Sequence, residues 1–399
     1  MTVSKANSTS ATVTANDRAA DGTAQPLVTV DNGTLVGGTM QYALGTDDTT
    51  EPTTGWDTAI PTATDAGTYY VWYQVVGDKN HHNTKPACVT VTLAPHCTYS
   101  LSLNDSIDLN IYVAGVPEDQ IANYKVRYTF NGKTTEKEVS DGAQSTSNGI
   151  TKWKFTVANC TASQMTDTVS LSVLHNGTSV YDMPARSIQT YCATVLDGTY
   201  DATFKELCQS VLDYGAYAQH HFEGVAVGSA ASANNGHTRA SDIVKENWTA
   251  GEAVDAYLGE NYVSVPTADW LEKITYSLSL ESRTEMNFYV YQKNNDALTV
   301  TGAKLGDATL DASQIVCDSV TVNGYTGGTV YRVKVKGIAA QDLDKVIELT
   351  LKNGDSDAKT LKFSPMTYVA KAQTLGTETN KLVCRALYLY TKAAKAYKS

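Results

Sequence analysis

Short runs in which apolar and polar side chains alternate dominate this sequence. Residues 152–157 alternate aromatic or aliphatic side chains with lysine and threonine, and residues 331–336 alternate Tyr or Val with Arg and Lys. A period of two with one charged face is typical of a half-buried β-strand. Asn-Gly and Asp-Gly pairs separate such runs, and these pairs favour the tight turns of antiparallel hairpins. The pattern therefore predicts a mainly β protein.

The pattern also occurs twice. Residues 98–103 (TYSLSL) recur at 275–280, and residues 108–113 (DLNIYV) recur as EMNFYV at 285–290, both at an offset of 177. Repeats of a whole domain are typical of display or modular binding. The repeat is also an internal comparison, because a group that performs chemistry in both copies should occupy both positions.

Each copy ends in a predicted helical hairpin. Ser187 and Ser364 are suited to cap short helices over 188–196 and 365–375, and the proline after Ser364 fits a first helical position. A longer amphipathic helix follows in each copy, with apolar positions spaced i, i+4, i+7 and i+11. These positions are Leu207, Val211, Tyr214 and Ala218 in copy one, and Val383, Leu387, Tyr390 and Ala394 in copy two.

Residues 10–94 lie outside the duplication and carry a different signature. Asp65, Gly67 and Tyr69 form the Asp-x-Gly-x-Tyr pattern of a tyrosine corner, in which the Tyr hydroxyl bonds back to the loop of an immunoglobulin-like sandwich. Val71 stands where an antibody domain has its second cysteine, so we expect no disulfide between the sheets.

This first unit resembles the bacterial Ig-like repeats of the MBG type, which occur in large surface adhesins. The segments that carry the resemblance are 21–28 (DGTAQPLV), 37–42 (GGTMQY), 60–69 (IPTATDAGTY) and 77–80 (GDKN). One departure is the Ala-Ala pair before Asp21, where such repeats carry an aromatic residue. The resemblance implies an Ig-like β-sandwich in an extracellular setting.

Copy one resembles a second module, a β-sandwich-plus-helix unit of exported multidomain proteins from gut Firmicutes. The match covers about 98–222 and is carried by 191–196 (YCATVL) and 212–219 (LDYGAYAQ). Copy two, from about 270 to 399, keeps the strand motif but has Thr391 where the module has glycine. The resemblance implies a location outside the cell and no particular activity.

The fold class that we predict is mainly β and multidomain. An N-terminal Ig-like β-sandwich precedes two related α+β units, each an antiparallel β-sandwich or sheet with a C-terminal helical hairpin. The expected segments are a linker (1–9), the Ig-like sandwich (10–94), copy one (95–223), a linker with short helices (224–268) and copy two (269–399). Within that second linker, residues 224–240 are small and polar and predict a flexible connection, and residues 241–258 predict one or two helices.

Charge and hydropathy exclude two classes of partner. The net charge is −11 with a pI of about 5.1, which argues against nucleic acid because phosphate backbones require clustered Lys and Arg. No apolar run approaches the roughly 18 residues of a membrane span, so we expect no membrane insertion. The first residues lack the hydrophobic region of a signal peptide, so we expect either a cytosolic protein or a fragment of a longer exported chain. The Thr-, Ala-, Asn- and Ser-rich opening (4–16) favours the fragment, located at the cell surface or outside the cell. We expect a monomer.

The seven cysteines behave as small apolar residues. Cys192 in copy one corresponds to Val369 in copy two, and Cys160 corresponds to Ile338. Exchange with Val and Ile is typical of a buried structural thiol. A disulfide between Cys192 and Cys208 would lose its partner in the second copy, which argues against it.

No motif predicts catalysis, a cofactor or a metal site. Cys-x-x-Cys and Gly-x-Ser-x-Gly are both absent from the sequence. The clearest shared acidic position is Asp108/Glu285, and we interpret it as a strand-edge charge rather than an acid catalyst. A pair of carboxylates distant in the chain, as in glycoside hydrolysis, stays open as a third alternative.

Aromatic residues with a polar tip give the candidate binding positions. Tyrosine is abundant, with 24 residues against 6 phenylalanines, and such rings stack on sugars or anchor protein partners when exposed. The candidates are Tyr70 and Trp72 in the Ig-like unit, with Asn110/Asn287 and Tyr112/Tyr289 in the two copies. The alternative is that these positions lie under the helices.

We therefore expect a non-enzymatic extracellular region that serves adhesion or display, with a host or dietary glycan or a protein as ligand. The alternative is a set of carbohydrate-binding accessory modules from a secreted glycan-degrading enzyme. Exposed aromatic candidates would favour the glycan alternative, and buried ones would favour display.

Overall fold

A computed structural model describes residues 4–103, 106–239, 263–280 and 284–398. The chain divides into two compact units. Unit 1 comprises Met1–Tyr99, Asn110–Thr156 and Val169–Ala185; unit 2 comprises Ser100–Leu109, Val157–Thr168 and Arg186–Ser399. Strands make up 45% of the protein and helices 23%, which confirms the prediction of a mainly β, multidomain fold with C-terminal helices.

The Ig-like part consists of the first nine strands of the chain and the first half of the tenth. They are β1 (Ala6–Asn7), β2 (Thr12–Ala15), β3 (Arg18–Ala20), β4 (Gln25–Pro26), β5 (Val28–Asp31), β6 (Gly38–Gly45), β7 (Thr62–Ala63), β8 (Gly67–Gly77) and β9 (His81–His82). β10 (Ala87–Leu103) follows, and its first half pairs antiparallel with β8.

Copy one continues from β10 with seven further strands and two helices. They are β11 (Ile107–Ala114), β12 (Tyr124–Phe130), β13 (Lys133–Glu138), β14 (Ala143–Ser147), β15 (Ile150–Cys160), β16 (Val169–His175), β17 (Thr178–Arg186), α1 (Ile188–Asp197) and α2 (Ala202–Glu223).

Copy two repeats this succession. Its elements are β18 (Val263–Ser264), β19 (Leu271–Leu280), β20 (Thr284–Gln292), β21 (Leu298–Leu305), β22 (Ala308–Thr309), β23 (Ile315–Val320), β24 (Val330–Val335), β25 (Ile347–Asn353), β26 (Lys359–Phe363), α3 (Pro365–Leu375) and α4 (Glu378–Lys398).

The strand order is the same in both copies. The first sheet runs β14-β15-β11-β10 in copy one and β23-β24-β20-β19 in copy two. The second sheet runs β13-β12-β16-β17 and β22-β21-β25-β26, and in copy two β18 adds to the edge beside β26. The offset of 177 in the sequence therefore corresponds to a duplicated topology.

The tyrosine corner of the Ig-like part is present. The Tyr69 hydroxyl donates a hydrogen bond to the carbonyl oxygen of Asp65 at 2.8 Å. Val71, at the position of the antibody cysteine, is fully buried in a core that includes Leu27 and Val91. A hydrophobic side chain fills the space here that a disulfide fills in antibody domains.

The Ig-like part continues into copy one without a linker. β10 is 17 residues long and passes straight through the expected boundary between residues 94 and 95. Within unit 1, the backbone N–H of Ala66 donates to the carbonyl of Gly115 at 2.6 Å. Gly115 has φ +76°, and a Cβ there would clash with the carbonyl of Ala20. Only glycine allows this close approach.

The capped helices begin at the predicted residues. The Ser187 hydroxyl accepts from the N–H of Thr190 at the start of α1. The Ser364 hydroxyl accepts from the N–H of Met366, with Pro365 at the first position of α3. These side chains satisfy N–H groups that have no partner inside the helix.

The long helices of the two copies pack against each other in unit 2. Tyr214 of α2 stacks on Tyr390 of α4, with ring centroids 5.7 Å apart and planes inclined by 22°. Both rings are 4% exposed. The amphipathic faces predicted from the sequence thus pack against each other. The sequence alone did not say whether the two copies are in contact.

The structure contradicts the predicted flexible linker over residues 225–239. This segment, which we call the strap, folds back onto α1 and α2 and buries Ser232, Ala233 and Asn234. The side chain of Gln219 accepts from the N–H of Ala233 at 2.8 Å. Small polar residues resemble a linker in composition, but here they allow close packing. Residues 240–262, which include the predicted helices over 241–258, lie outside the described residues.

Candidate functional site

The aromatic candidates of the Ig-like part do not form an exposed pair. Trp72 is 7% exposed, and its indole N–H donates to the carbonyl of Asp47 at 3.0 Å. Tyr70 lies two residues earlier on β8 and is half-buried. β8 is an inner strand, paired with β6 on one edge and with β10 on the other.

The Asn-x-Tyr candidates of the two copies are also largely enclosed. Asn110 is 5% exposed, and its side-chain oxygen accepts from the Thr156 hydroxyl at 2.8 Å. Asn287 is 7% exposed, and Tyr112 and Tyr289 are half-buried. The structure places these residues on the inner strands β11 and β20.

The acidic position shared by the copies serves local structure. Asp108 accepts a hydrogen bond from the Ser106 hydroxyl at 2.8 Å. Glu285 forms an ion pair with Lys334 on the neighbouring strand at 2.7 Å. Each carboxylate thus has a partner within its own sheet, as expected for a strand-edge charge.

A hollow that the sequence did not predict lies in unit 1, between the Ig-like part and copy one. It has a volume of about 580 Å³, and we call it the copy-one hollow. The Ig-like loop 65–69 forms one wall, and residues of the β11–β12 loop with His175 and Val180 form the other. Ligand sites occur preferentially at such domain interfaces, with typical volumes of about 300–1,000 Å³.

Planar rings and polar groups line this hollow. Tyr124 and His175 stack with centroids 4.5 Å apart and planes inclined by 17°. Burial raises the pKa of Tyr69 and of Tyr124, and the carboxylate of Asp65 raises both further. Both phenols are therefore neutral, and the Tyr69 hydroxyl, which donates to the carbonyl of Asp65, can accept a further hydrogen bond. Asp119, in the β11–β12 loop, adds an exposed carboxylate.

Copy two has a hollow that is built from the corresponding segments. It has a volume of about 910 Å³ and we call it the copy-two hollow. Its walls are the lead-in to β19 with Trp270, the β20–β21 loop with Asp296, and the turn after β25. Lys293 and Lys359 give it a mixed charge.

Five of the seven thiols are buried, and the other two, Cys88 and Cys317, are partly buried. All seven cysteines are free. Burial raises the pKa of Cys97, Cys160 and Cys384 to about 12. A thiol that stays protonated is neither a nucleophile nor a metal ligand, which agrees with the structural role predicted from exchange with Val and Ile.

Two further findings limit the chemistry of the described residues. None of their clusters of His, Cys, Asp and Glu is suited to hold a metal ion. In the same parts of the chain, no helix has the length and apolarity that crossing a bilayer requires.

Comparisons with known proteins add little. Neither the known family models nor the curated proteins match this chain. Among solved structures, the chain is similar to a marsupial T cell receptor, with 8% identity over 89% of this chain and 99% of that chain, at a TM-score of 0.17. So low a score carries no argument, and the fold assignment depends on the strand order and the tyrosine corner.

Proposed function

We propose that this chain is a non-enzymatic extracellular region of a bacterial surface or secreted protein, and that it presents binding surfaces for adhesion. The main support is the content of the duplication. Positions that the copies share are core residues such as Leu171/Leu349 and Tyr214/Tyr390. The shared acid Asp108/Glu285 is engaged in local bonds. Duplication that retains a fold without a chemical group suits display better than catalysis.

The connection between the first two modules also suits display. β10 extends about 55 Å, at roughly 3.3 Å per residue, through the Ig-like part and into copy one. A shared strand leaves no Gly/Ser-rich linker between the two modules.

The burial of the aromatic candidates supports the adhesion proposal over the alternative of carbohydrate-binding accessory modules. A carbohydrate-binding module that uses a flat aromatic surface needs exposed rings, and Trp72 is 7% exposed. The adhesion proposal is therefore preferred to that of accessory modules with an aromatic platform.

Adhesion under flow tests the proposal. Beads that carry the intact 399-residue chain through one terminal tag are passed over mucin-coated and plant-polysaccharide-coated surfaces. We expect saturable retention on at least one coating, competed by the soluble chain, and surface labelling of intact source cells by antibodies to the chain. Retention no better than that of albumin-coated beads, together with labelling only after cell lysis, would contradict the proposal.

A further inference from the structure

The copy-one hollow has the construction of a ligand site. It lies where two β modules of unit 1 meet, and the Ala66–Gly115 hydrogen bond holds its walls together. The tyrosine corner fixes the Ig-like wall, since the Tyr69 hydroxyl binds the carbonyl of Asp65. A site with prearranged walls loses little conformational entropy when a ligand binds.

The lining of the hollow selects the ligand by charge. Asp65 and Asp119 contribute carboxylates, and no Lys or Arg is found among the described residues that line it. Anionic ligands, including phosphates and acidic sugars, would meet two like charges without a compensating cation. A neutral ligand with many hydroxyl groups meets carboxylate and amide acceptors instead.

The aromatic content of the hollow points in the same direction. Tyr124 and His175 form a stacked pair, and Gln120 adds an amide beside them. Sites for polar organic ligands commonly combine apolar or aromatic surface with a few placed polar groups. The hollow differs from the flat surface expected from Tyr70 and Trp72, because it is concave and lies at a junction.

The copy-two hollow provides an internal comparison. It uses the same end of the duplicated sandwich, but its described walls include Lys293 and Lys359 and no Ig-like loop. Neither the stacked Tyr–His pair nor the tyrosine corner is part of its lining. Any ligand preference due to the Ig-like wall should therefore belong to copy one.

We propose that the copy-one hollow binds neutral glycans and is the adhesive site of this chain. The inference depends on the adhesion function proposed above, and it names the ligand class and the place of binding. Sugar hydroxyls would bond to Asp119 and Gln120, and the sugar ring would lie against the partly exposed ring of His175, on which the buried Tyr124 (4% exposed) stacks.

Binding to defined sugars tests the proposal with the intact chain. The probes are immobilised neutral oligosaccharides (cellohexaose, xylohexaose, mannohexaose and neutral mucin-type O-glycans), each O-glycan paired with its sialylated form. We expect saturable binding to at least one neutral probe, and at least about tenfold weaker binding to a sialylated partner, the equivalent of about 1.4 kcal/mol.

Two variants locate the site. Asp119→Ala/Gln120→Ala removes polar groups from an exposed loop, and Val180→Trp adds bulk at a position that is 37% exposed. Each should weaken binding about tenfold or more at an unchanged urea midpoint. The matched control is Asn295→Ala/Asp296→Ala in the corresponding loop of copy two, which should change binding less than about twofold.

Binding that both copy-one variants leave intact, or that only the copy-two control abolishes, would overturn the assignment. So would a preference for sialylated probes. If beads adhere to mucin while no neutral probe binds, the glycan site is wrong and the adhesion proposal stands. If beads adhere to no surface, the adhesion proposal itself fails.

Discussion

Copy one and copy two have the same two sheets and the same pair of helices, yet their long helices carry different residues on one face. In α2, Asp213 and Gly215 face the strap, whereas α4 has Leu389 and Thr391 at these positions. In copy one, the strap follows α2 and folds back onto it. In copy two, α4 is the last described element.

This difference gives the Asp-Tyr-Gly-Ala motif of α2, residues 213–216, a structural role. A Cβ at position 215 would clash with the sulfur of Met165 and lie 3.0 Å from the Cβ of Ala233 in the strap. Asp213 is 2% exposed and bonds to Asn234 and Arg239 of the strap. The motif therefore docks the strap, and its absence from copy two needs no functional explanation.

The largest effect should come from the buried ion pair. Arg239 Nε lies 2.5 Å from Asp213 Oδ2, and the Asp213 side chain is 3% exposed. Arg239→Met should lower the free energy of unfolding by about 3–5 kcal/mol, because it leaves a buried carboxylate without its cation. Urea denaturation at pH 7 measures the change. The control is the double variant Arg239→Met/Asp213→Leu, which has at position 213 the residue type found in copy two. Most of the lost free energy of unfolding should be recovered in it. If none is recovered, the ion pair is not the cause of the loss.

The same pair predicts a dependence on pH. Burial raises the pKa of Asp213, and the nearby Arg239 offsets only part of this effect, so that the pKa is raised overall. A carboxyl group with a raised folded-state pKa contributes stability below its unfolded pKa of about 3.9, and that contribution is lost as the pH rises through the folded pKa. Because Arg239→Met raises this pKa further, its deficit relative to the wild type should be small near pH 4 and grow towards pH 7. A deficit that is constant over this range would contradict the account.

A smaller effect is expected from the glycine under the strap. Gly215→Leu should cost about 1–3 kcal/mol through overpacking against Met165 and Ala233. It should also speed proteolysis within the strap, measured by mass spectrometry of limited digests. The matched change in copy two, Thr391→Val, should cost about 1 kcal/mol, since it loses only the hydroxyl bond to the carbonyl of Leu387. Equal protease protection in wild type and Gly215→Leu would rule out strap docking at this glycine.

The Ig-like wall, which only copy one has, gives the next prediction. Tyr69→Phe removes the 2.8 Å bond to the Asp65 carbonyl and should cost about 1 kcal/mol in urea denaturation. It should also weaken neutral-glycan binding, because loop 65–69 loses its anchor. Tyr70→Phe on the same strand is the control, and an equal effect of the two substitutions would exclude a special role for the corner.

The smallest effects should come from the shared acids. Glu285→Gln loses a partly exposed ion pair with Lys334 and should cost at most about 1 kcal/mol. Asp108→Asn should be similar. Neither should alter bead adhesion, and loss of function in both variants would mean that the duplication did retain a chemical group.

Local patterns in the sequence predicted the local structure well. Alternation gave the strands, the Asp65–Tyr69 motif gave the tyrosine corner, and Ser364 with Pro365 gave the start of α3. Each of these depends on interactions between residues close in sequence, which a single sequence records directly.

Features that depend on distant residues were missed. The strap contains small polar residues, and its anchors are spread over α1 and α2 as side-chain-to-backbone bonds, such as Gln189 Nε2 to the carbonyl of Ser232 at 2.9 Å. Asp213 gave no signal, because it lies on the side of α2 away from Leu207, Val211 and Tyr214, where an amphipathic helix is expected to carry charges. The copy-one hollow left no signal, because its walls come from segments up to about 115 residues apart in the chain.

A single experiment tests the central claim, that the chain adheres to glycans without converting them. The intact chain is incubated with mucin-coated and plant-polysaccharide-coated wells, and both bound protein and released reducing ends are measured in the same wells over a day. We predict saturable binding, reduced about tenfold by Val180→Trp, and no release of sugar above that from a well without protein. Release of sugar that increases with protein and time, or the absence of binding to every coating, would contradict the account.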